Sequence, residues 1–174
     1  MVDRLHCALE FHLVMEAFQV RNAERPEVPQ IARVWYDAWQ DAHAKIMPPE
    51  LARIRTLESF TLRLYEMLGI VRVVGEPGQP LGFCIVKNDE LYQLFVSAEA
   101  RGTGVAAALI ADGESRLADQ GVETGWLACA VGNDRAARFY EKCGWHNAGT
   151  VNQVIETPDG EINFDVWRYE KVLR

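Results

Sequence analysis

The stretch best suited to chemistry is Leu94-Phe95-Val96-Ser97-Ala98-Glu99-Ala100-Arg101-Gly102-Thr103-Gly104-Val105-Ala106. It reads as the end of a strand, a glycine turn and the opening of an alanine-rich helix. The first N–H groups of a helix have no intrahelical acceptor, and the helix dipole adds partial positive charge there. Glycines remove the Cβ atoms that would hold a phosphate away from those N–H groups, and Arg101 adds a mobile cation at the rim. Such a turn suits a pyrophosphate. The phosphate loop of nucleotide hydrolases is excluded, because its G-x-x-x-x-G-K-[ST] pattern needs a lysine that this turn lacks. Gly102, Gly104 and Ala107 formally match the dinucleotide fingerprint G-x-G-x-x-[GA]. That fingerprint should follow its strand directly and open parallel βα units. Here residues 97–101 intervene, the preceding strands read as hairpins, and too little chain follows. Taken alone, the glycines suit equally well a helix start that needs only close packing.

Other chemistries find less support. Cys7, Cys84, Cys129 and Cys143 form no C-x-x-C pair and stand at no zinc-ligand spacing with histidine. They read as reduced, partly buried thiols of a cytoplasmic protein, with no metal site. The chain carries 18 Lys and Arg against 25 Asp and Glu, a net charge of −7. A nucleic-acid binder would show a basic excess, so no nucleic-acid partner is expected. Val105–Ala111 is the longest clean apolar run, far short of the roughly 20 residues that cross a bilayer, so no membrane partner is expected either. With 174 residues, 49% apolar and 25% charged, the chain has the size and balance of one globular core and not of a disordered segment.

The elements that must position the turn follow from periodicity. Residues 1–16 read as an N-terminal extension, with Leu5, Leu9 and Leu13 at helical spacing. His6, Glu10 and His12 interrupt any signal-peptide pattern there, and Met15 is the expected functional start. A strand near Phe18–Arg21 precedes a helix whose apolar stripe is Ile31, Val34, Trp35, Ala38 and Trp39. Pro48-Pro49 ends it, and one helix or two short ones cover residues 50–68. Strands over 70–74, 81–87 and 90–96 form an antiparallel meander, with turns at Pro77-Gly78-Gln79-Pro80 and Asn88-Asp89. A helix over about 103–120, a strand over 124–131, a helix over 133–143 stopped by Gly144, and two final strands around Thr157-Pro158-Asp159-Gly160 complete an α/β order with a mixed sheet.

In that setting two blocks gain meaning together. Arg101-Gly102-Thr103-Gly104-Val105-Ala106 resembles [QR]-x-x-G-x-[GA], the acetyl-CoA motif of the GNAT superfamily of N-acetyltransferases. Asn133-Asp134-Arg135-Ala136-Ala137-Arg138-Phe139-Tyr140-Glu141-Lys142-Cys143-Gly144-Trp145 resembles that family's second block, N-x-x-A-x-x-[FL]-Y-x-x-x-G-[FW]. The blocks stand one helix and one strand apart, as in the family, and the element order matches over residues 17–174.

The resemblance implies a mostly antiparallel sheet of about seven strands with helices on its flanks. Within it, one parallel strand pair, residues 90–96 and 124–131, splays apart and admits the pantetheine arm of acetyl-CoA. It implies that the backbone of Phe95 and Val96 bonds that arm and that an N–H near Val96 polarises the thioester carbonyl. It also implies that the N–H groups from Arg101 through Gly102, Thr103, Gly104 and Val105 to Ala106 cradle the pyrophosphate, and that Asn133 contacts the arm. Tyr140 matches the tyrosine that acts as general acid toward the leaving sulfur; the alternative is a packing aromatic beside Phe139. Glu90 is the candidate base, although its place beside a turn reads as a solvated carboxylate. Gln93 could hold a water. His43 reads as an exposed loop residue and His146 as a surface or packing one. Trp35, Tyr36 and Trp39 read first as core and second as an acceptor-pocket wall. Arg135, Arg138 and Lys142 read as a helix face that brings positive charge near the cofactor phosphates.

The expected activity is transfer of acetyl from acetyl-CoA to a primary amine, by direct attack in a ternary complex. The acceptor would be a small-molecule amine or a peptide N-terminus, and the family habit suggests a homodimer. The alternatives are another acyl donor, or a CoA-binding module without turnover. The acidic net charge favours a cationic acceptor.

Overall fold

A computed structural model describes residues 18–174. The N-terminal leucine stripe, Cys7 and Met15 lie outside the described residues. The chain runs β1 (Val20–Asn22), α1 (Val28–His43), α2 (Pro49–Ile54), α3 (Leu57–Met67), β2 (Val71–Glu76), β3 (Gln79–Lys87), β4 (Glu90–Val96), α4 (Val105–Asp119), β5 (Thr124–Ala130), α5 (Asp134–Lys142), β6 (His146–Thr157) and β7 (Gly160–Val172). The seven strands form one sheet in the order β1-β2-β3-β4-β5-β7-β6. Every neighbouring pair is antiparallel except β4 and β5.

Alternation along the strands fixes the two faces, because successive side chains point to opposite sides. Val73, Phe83 and Ile85 pack under α1 and α3 with Ile31, Trp35, Trp39, Phe60 and Leu64. Val74, Cys84 and Val86 pack on the other face with Leu109, Ile110 and Leu117 of α4, and with Tyr140 and Trp145. The helical region after Pro48 is two helices. Arg55 leaves helical geometry between them, and Thr56 caps α3 by accepting from the Ser59 N–H at 3.1 Å.

The β2–β3 turn is tighter than its proline and glycine content suggests. Gln79 and Pro80 already pair with Glu76 and Gly75 in the ladder, which leaves Pro77 and Gly78 as the turn. A buried charge ties this hairpin to the start of α1. Glu27, 2% exposed, accepts from the two terminal Arg21 guanidinium nitrogens at 2.7 and 2.8 Å and from the N–H groups of Glu24 and Gly78 at 2.8 and 3.2 Å. Burial pushes the Glu27 carboxyl up, but the Arg21 bonds and the two backbone donors outweigh it and hold the carboxyl below its ordinary value.

Candidate active site

The parallel pair supplies the opening. Its register consists of Glu90 opposite Trp126, secured by the Trp126 N–H donating to the Asp89 carbonyl at 3.1 Å. Beyond that point the ladder stops, so β4 turns the remainder of one edge toward a gap and not toward a partner strand. The other edge of β4 is paired with β3, with one irregularity. Ile85 faces Gln93 and Val86 faces Leu91, which leaves Tyr92 unopposed as a bulge. A bulge re-aims the side chains around it. Here Tyr92 and its sequence neighbour Gln93 both reach the same cavity.

That cavity has a volume of about 510 Å³ and is lined by residues of both cores. Glu90, Phe95, Val96, Arg101, Gly102, Ala106, Asn133 and Tyr140 all line it. Thr103, Gly104 and Val105 are not on this wall. The Val105 side chain is fully buried in the core, and the Thr103 hydroxyl donates to the Ala100 carbonyl at 2.6 Å. The N–H groups of Arg101 and Thr103 turn back to the Ala98 and Ala100 carbonyls at 3.4 and 3.3 Å. Those of Val105 and Ala106 lie in the first turn of α4, where no intrahelical acceptor exists. Gly102 and Gly104 have φ of +75° and +100°, which L side chains rarely adopt. A Cβ built on Gly102 would meet nothing within 4 Å, so the turn opens onto free space.

Two arginines stand at this rim. Arg101 and Arg135 each donate to the same Asp41 carboxylate oxygen, at 2.8 and 2.9 Å. The Arg135 bond is the chief reason that the Asp41 carboxyl is held below its ordinary value. Arg135 lines the cavity, whereas Arg138 lines a separate shallow groove with Asn147 and Trp167. Lys142 is exposed. The expected basic helix face thus divides, and only Arg135 reaches the cavity. Asn133 caps α5 by accepting from the Ala136 N–H at 3.2 Å, which leaves its amide N–H₂ as the group available to a ligand.

Tyr140 is 9% exposed, packed against Phe139 and Tyr169 with ring centroids 5.6 and 6.0 Å away. Burial pushes its phenol well above the ordinary value, so it stays protonated. Cys129, on the same wall, has its thiol pushed up to about 12 by burial. Cys84 and Cys143 are buried free thiols as well.

Three expectations change. Glu90 is a half-buried carboxyl on the cavity wall and not a solvated one. Burial and the neighbouring Asp89 push it up to about 7. His43 is not an exposed loop residue. It ends α1, stacks on Trp39 at 5.5 Å and meets Phe95 edge-on at 5.9 Å. Its Nδ1 is buried without a partner, and burial pushes its imidazole down to about 4. The i, i+4 spacing from Trp39 was the available signal, since it extends the apolar stripe by one turn. Trp35 and Trp39 serve both core and cavity, whereas Tyr36 lies outside the cavity wall under Arg33. His146 is exposed, as read. The cavity's charges also depart from the acidic whole. Arg55, Arg63, Arg101 and Arg135 line it, with Glu90 as the carboxylate on its wall.

Among the described residues, no three His, Cys, Asp or Glu side chains come together as a metal site, and no helix is long and apolar enough to cross a membrane.

The sequence model of the "Acetyltransferase (GNAT) family" matches residues 28–145. Several solved structures share the fold. A GCN5-related N-acetyltransferase from Rhodopseudomonas palustris is 17% identical with a TM-score of 0.69, over 89% of this chain and 95% of that one. A ribosomal-protein-alanine N-acetyltransferase from Brucella melitensis is 21% identical with a TM-score of 0.67, over 88% and 99%. A PaiA N-acetyltransferase from Thermoplasma acidophilum, solved in complex with coenzyme A, is 16% identical with a TM-score of 0.62, over 89% and 98%. No curated protein matches the chain.

Proposed function

The chain belongs to the GNAT family of acetyltransferases, and from that premise we propose that it moves acetyl from acetyl-CoA to a primary amine by direct attack. The observation that carries this reading is one cavity lined at once by the glycine turn, the unpaired edge of β4, a buried phenol and a carboxyl near neutrality.

The residues fit the donor. The open turn at Gly102 and the free first-turn N–H groups of α4 suit a pyrophosphate, and Arg101 and Arg135 supply positive charge once drawn from Asp41. The unpaired backbone at Phe95 and Val96 suits the amides of the pantetheine arm, and the Asn133 amide the same arm. Acetyl-CoA supplies an activated thioester carbonyl, and an N–H near Val96 is the candidate donor to its oxygen.

Chemistry needs two proton movements. As the N–C bond forms and the C–S bond breaks, Glu90 takes the proton from the amine nitrogen through a file of waters that Gln93 helps to hold, because Glu90 starts β4 and Val96 ends it. Tyr140 gives its proton to the departing sulfur. A carboxyl near 7 is a competent base at neutral pH, and a phenol that resists ionisation is a proton source. Direct attack is favoured over a covalent cysteine route, because burial keeps the Cys129 thiol protonated. The test is release of free thiol from acetyl-CoA with a panel of amines, each product identified by mass spectrometry. Amine-dependent thiol release with a matching mass gain of one acetyl group is expected. Binding of acetyl-CoA without turnover on any amine would sink the reading.

A further inference from the structure

The acceptor end of the cavity carries charge that the acetyl-transfer reading does not use. Arg55 follows α2 and Arg63 lies on α3, both half-buried on the cavity wall. Arg63 stacks over Trp35 with its guanidinium carbon 4.5 Å from the ring centroid, and it donates to the Tyr92 hydroxyl at 2.9 Å. Tyr92 is the bulged residue of β4, so the irregularity in that strand sets the position of Arg63's partner. Arg21, Arg72, Arg101, Arg135 and Arg168 each meet a carboxylate within 3 Å. Arg55 and Arg63 meet none among the described residues. They also repel each other, because Arg63 adds to the burial that pushes Arg55 down to about 10.

Two half-buried guanidiniums on one cavity wall without an anion are unfavourable in isolation, since burial removes hydration from both and their charges oppose. Fork-shaped donors of this kind match the two oxygens of a carboxylate. They stand apart from the glycine turn. Arg63 contacts Trp35, Phe60 and Tyr92, whereas the turn's cations Arg101 and Arg135 are gathered at Asp41 in the last turn of α1.

We propose that Arg55 and Arg63 form a carboxylate subsite, so that the acceptor is a molecule bearing both a primary amine and a carboxylate. This rests on the acetyl-transfer reading for the amine and on the two arginines for the carboxylate. The carboxylate belongs either to a free amino acid or to an acidic side chain near a peptide N-terminus. The expectation of a cationic acceptor, drawn from net charge, gives way to the charges on the cavity wall itself.

The experiment compares matched pairs with the full-length protein and acetyl-CoA. One arm uses free amino acids against their C-terminal amides. The other uses amidated peptides with Glu or Gln in the second position. The carboxylate-bearing member of at least one pair should have a kcat/KM about 100-fold higher, and the arm in which this occurs identifies the source. In Arg63→Gln and in Arg55→Gln the two members should converge, with the change in KM. Arg63→Lys should restore only part of the preference, because it keeps the charge without the fork. Acetyl-CoA must still raise the melting temperature of each variant, which confirms folding, and two separate variants guard against the failure of one. A binding arm runs beside turnover. With CoA present, N-acetylamino acids should raise the melting temperature more than their amides do. Discrimination in binding without any turnover overturns the acetyl-transfer reading and leaves the subsite. Turnover or binding that ignores the carboxylate overturns the subsite.

Discussion

Glu90 faces Trp126 across the one point where β4 and β5 are joined, so the carboxyl sits at the apex from which the two strands part. Trp126 is held there twice. Its backbone N–H donates to the Asp89 carbonyl and its indole N–H to the Asp89 carboxylate, each at 3.1 Å. Arg168 lies over the indole ring at 4.3 Å. The same turn that fixes the apex thus places one acidic neighbour beside Glu90, and that neighbour adds to burial in raising the Glu90 carboxyl.

Replacement of Glu90 by Gln tests both consequences. With Glu90 near 7, activity in the wild type should rise as pH passes through neutrality. Glu90→Gln should lose that limb, keep only the titration of the acceptor amine, and fall about 10²–10⁴-fold in kcat. Stability should move the other way. A carboxyl raised from 4.5 to about 7 on folding costs the folded state as pH climbs from 4.5 past 7. Glu90→Gln should therefore melt higher than wild type at pH 8 and the same at pH 4. An unchanged pH–rate profile would remove Glu90 from the base role.

Much of this was legible in the sequence, for identifiable reasons. The uninterrupted apolar run Phe83-Cys84-Ile85-Val86 and the stripe Ile31, Trp35, Trp39 are strong signals, because each position faces a core that only apolar side chains can fill. Arg101, Gly102, Ala106, Asn133 and Tyr140 of the paired blocks line one cavity together with Phe95, Val96 and Glu90 of β4. Strand bulges left no such trace. Nothing in Leu91-Tyr92-Gln93 announces that Tyr92 lacks a partner in β3, since a bulge depends on register across two strands. The desolvation of Glu90 and His43 and the meeting of Arg55 with Arg63 likewise arise from contacts between distant segments. Net charge carries no such information either: it sums the whole chain and says nothing of which charges line a cavity.

Acetyl-CoA should raise the melting temperature saturably, by the equivalent of about 2.7 kcal/mol at 100 times its dissociation constant, and NADH should do so far less. Gly104→Val should abolish the shift. A β-branched residue at φ +100° is strained by about 1–3 kcal/mol, and relief of that strain displaces the turn that opens α4. The unliganded variant should melt several degrees lower and keep a native circular dichroism spectrum. A normal acetyl-CoA shift in this variant would take the phosphates away from the turn.

Glu27→Gln should cost about 2–3 kcal/mol at pH 7, because the buried carboxylate holds Arg21 and two backbone N–H groups at once. The folded carboxyl lies below its ordinary 4.5. Its contribution is therefore full above 4.5 and is lost as pH falls through the lower folded value. Melting curves of wild type and variant should converge toward pH 3. A constant gap from pH 7 to pH 3 would assign the cost to shape and not to charge.

Tyr140→Phe removes one hydroxyl and keeps the ring that packs against Phe139 and Tyr169. Stability should change little, and acetyl-CoA should bind as before, since the turn and the β4 edge do not involve the phenol. If the phenol protonates the leaving sulfur, kcat should fall about 10²–10⁴-fold under conditions where chemistry limits the rate. The loss should shrink for acyl donors whose thiol is a better leaving group, because those need less help in departing. The leaving-group series separates this role from simple packing, which would lower all donors alike. Wild-type kcat with every donor would return Tyr140 to the core and leave the sulfur's proton to solvent.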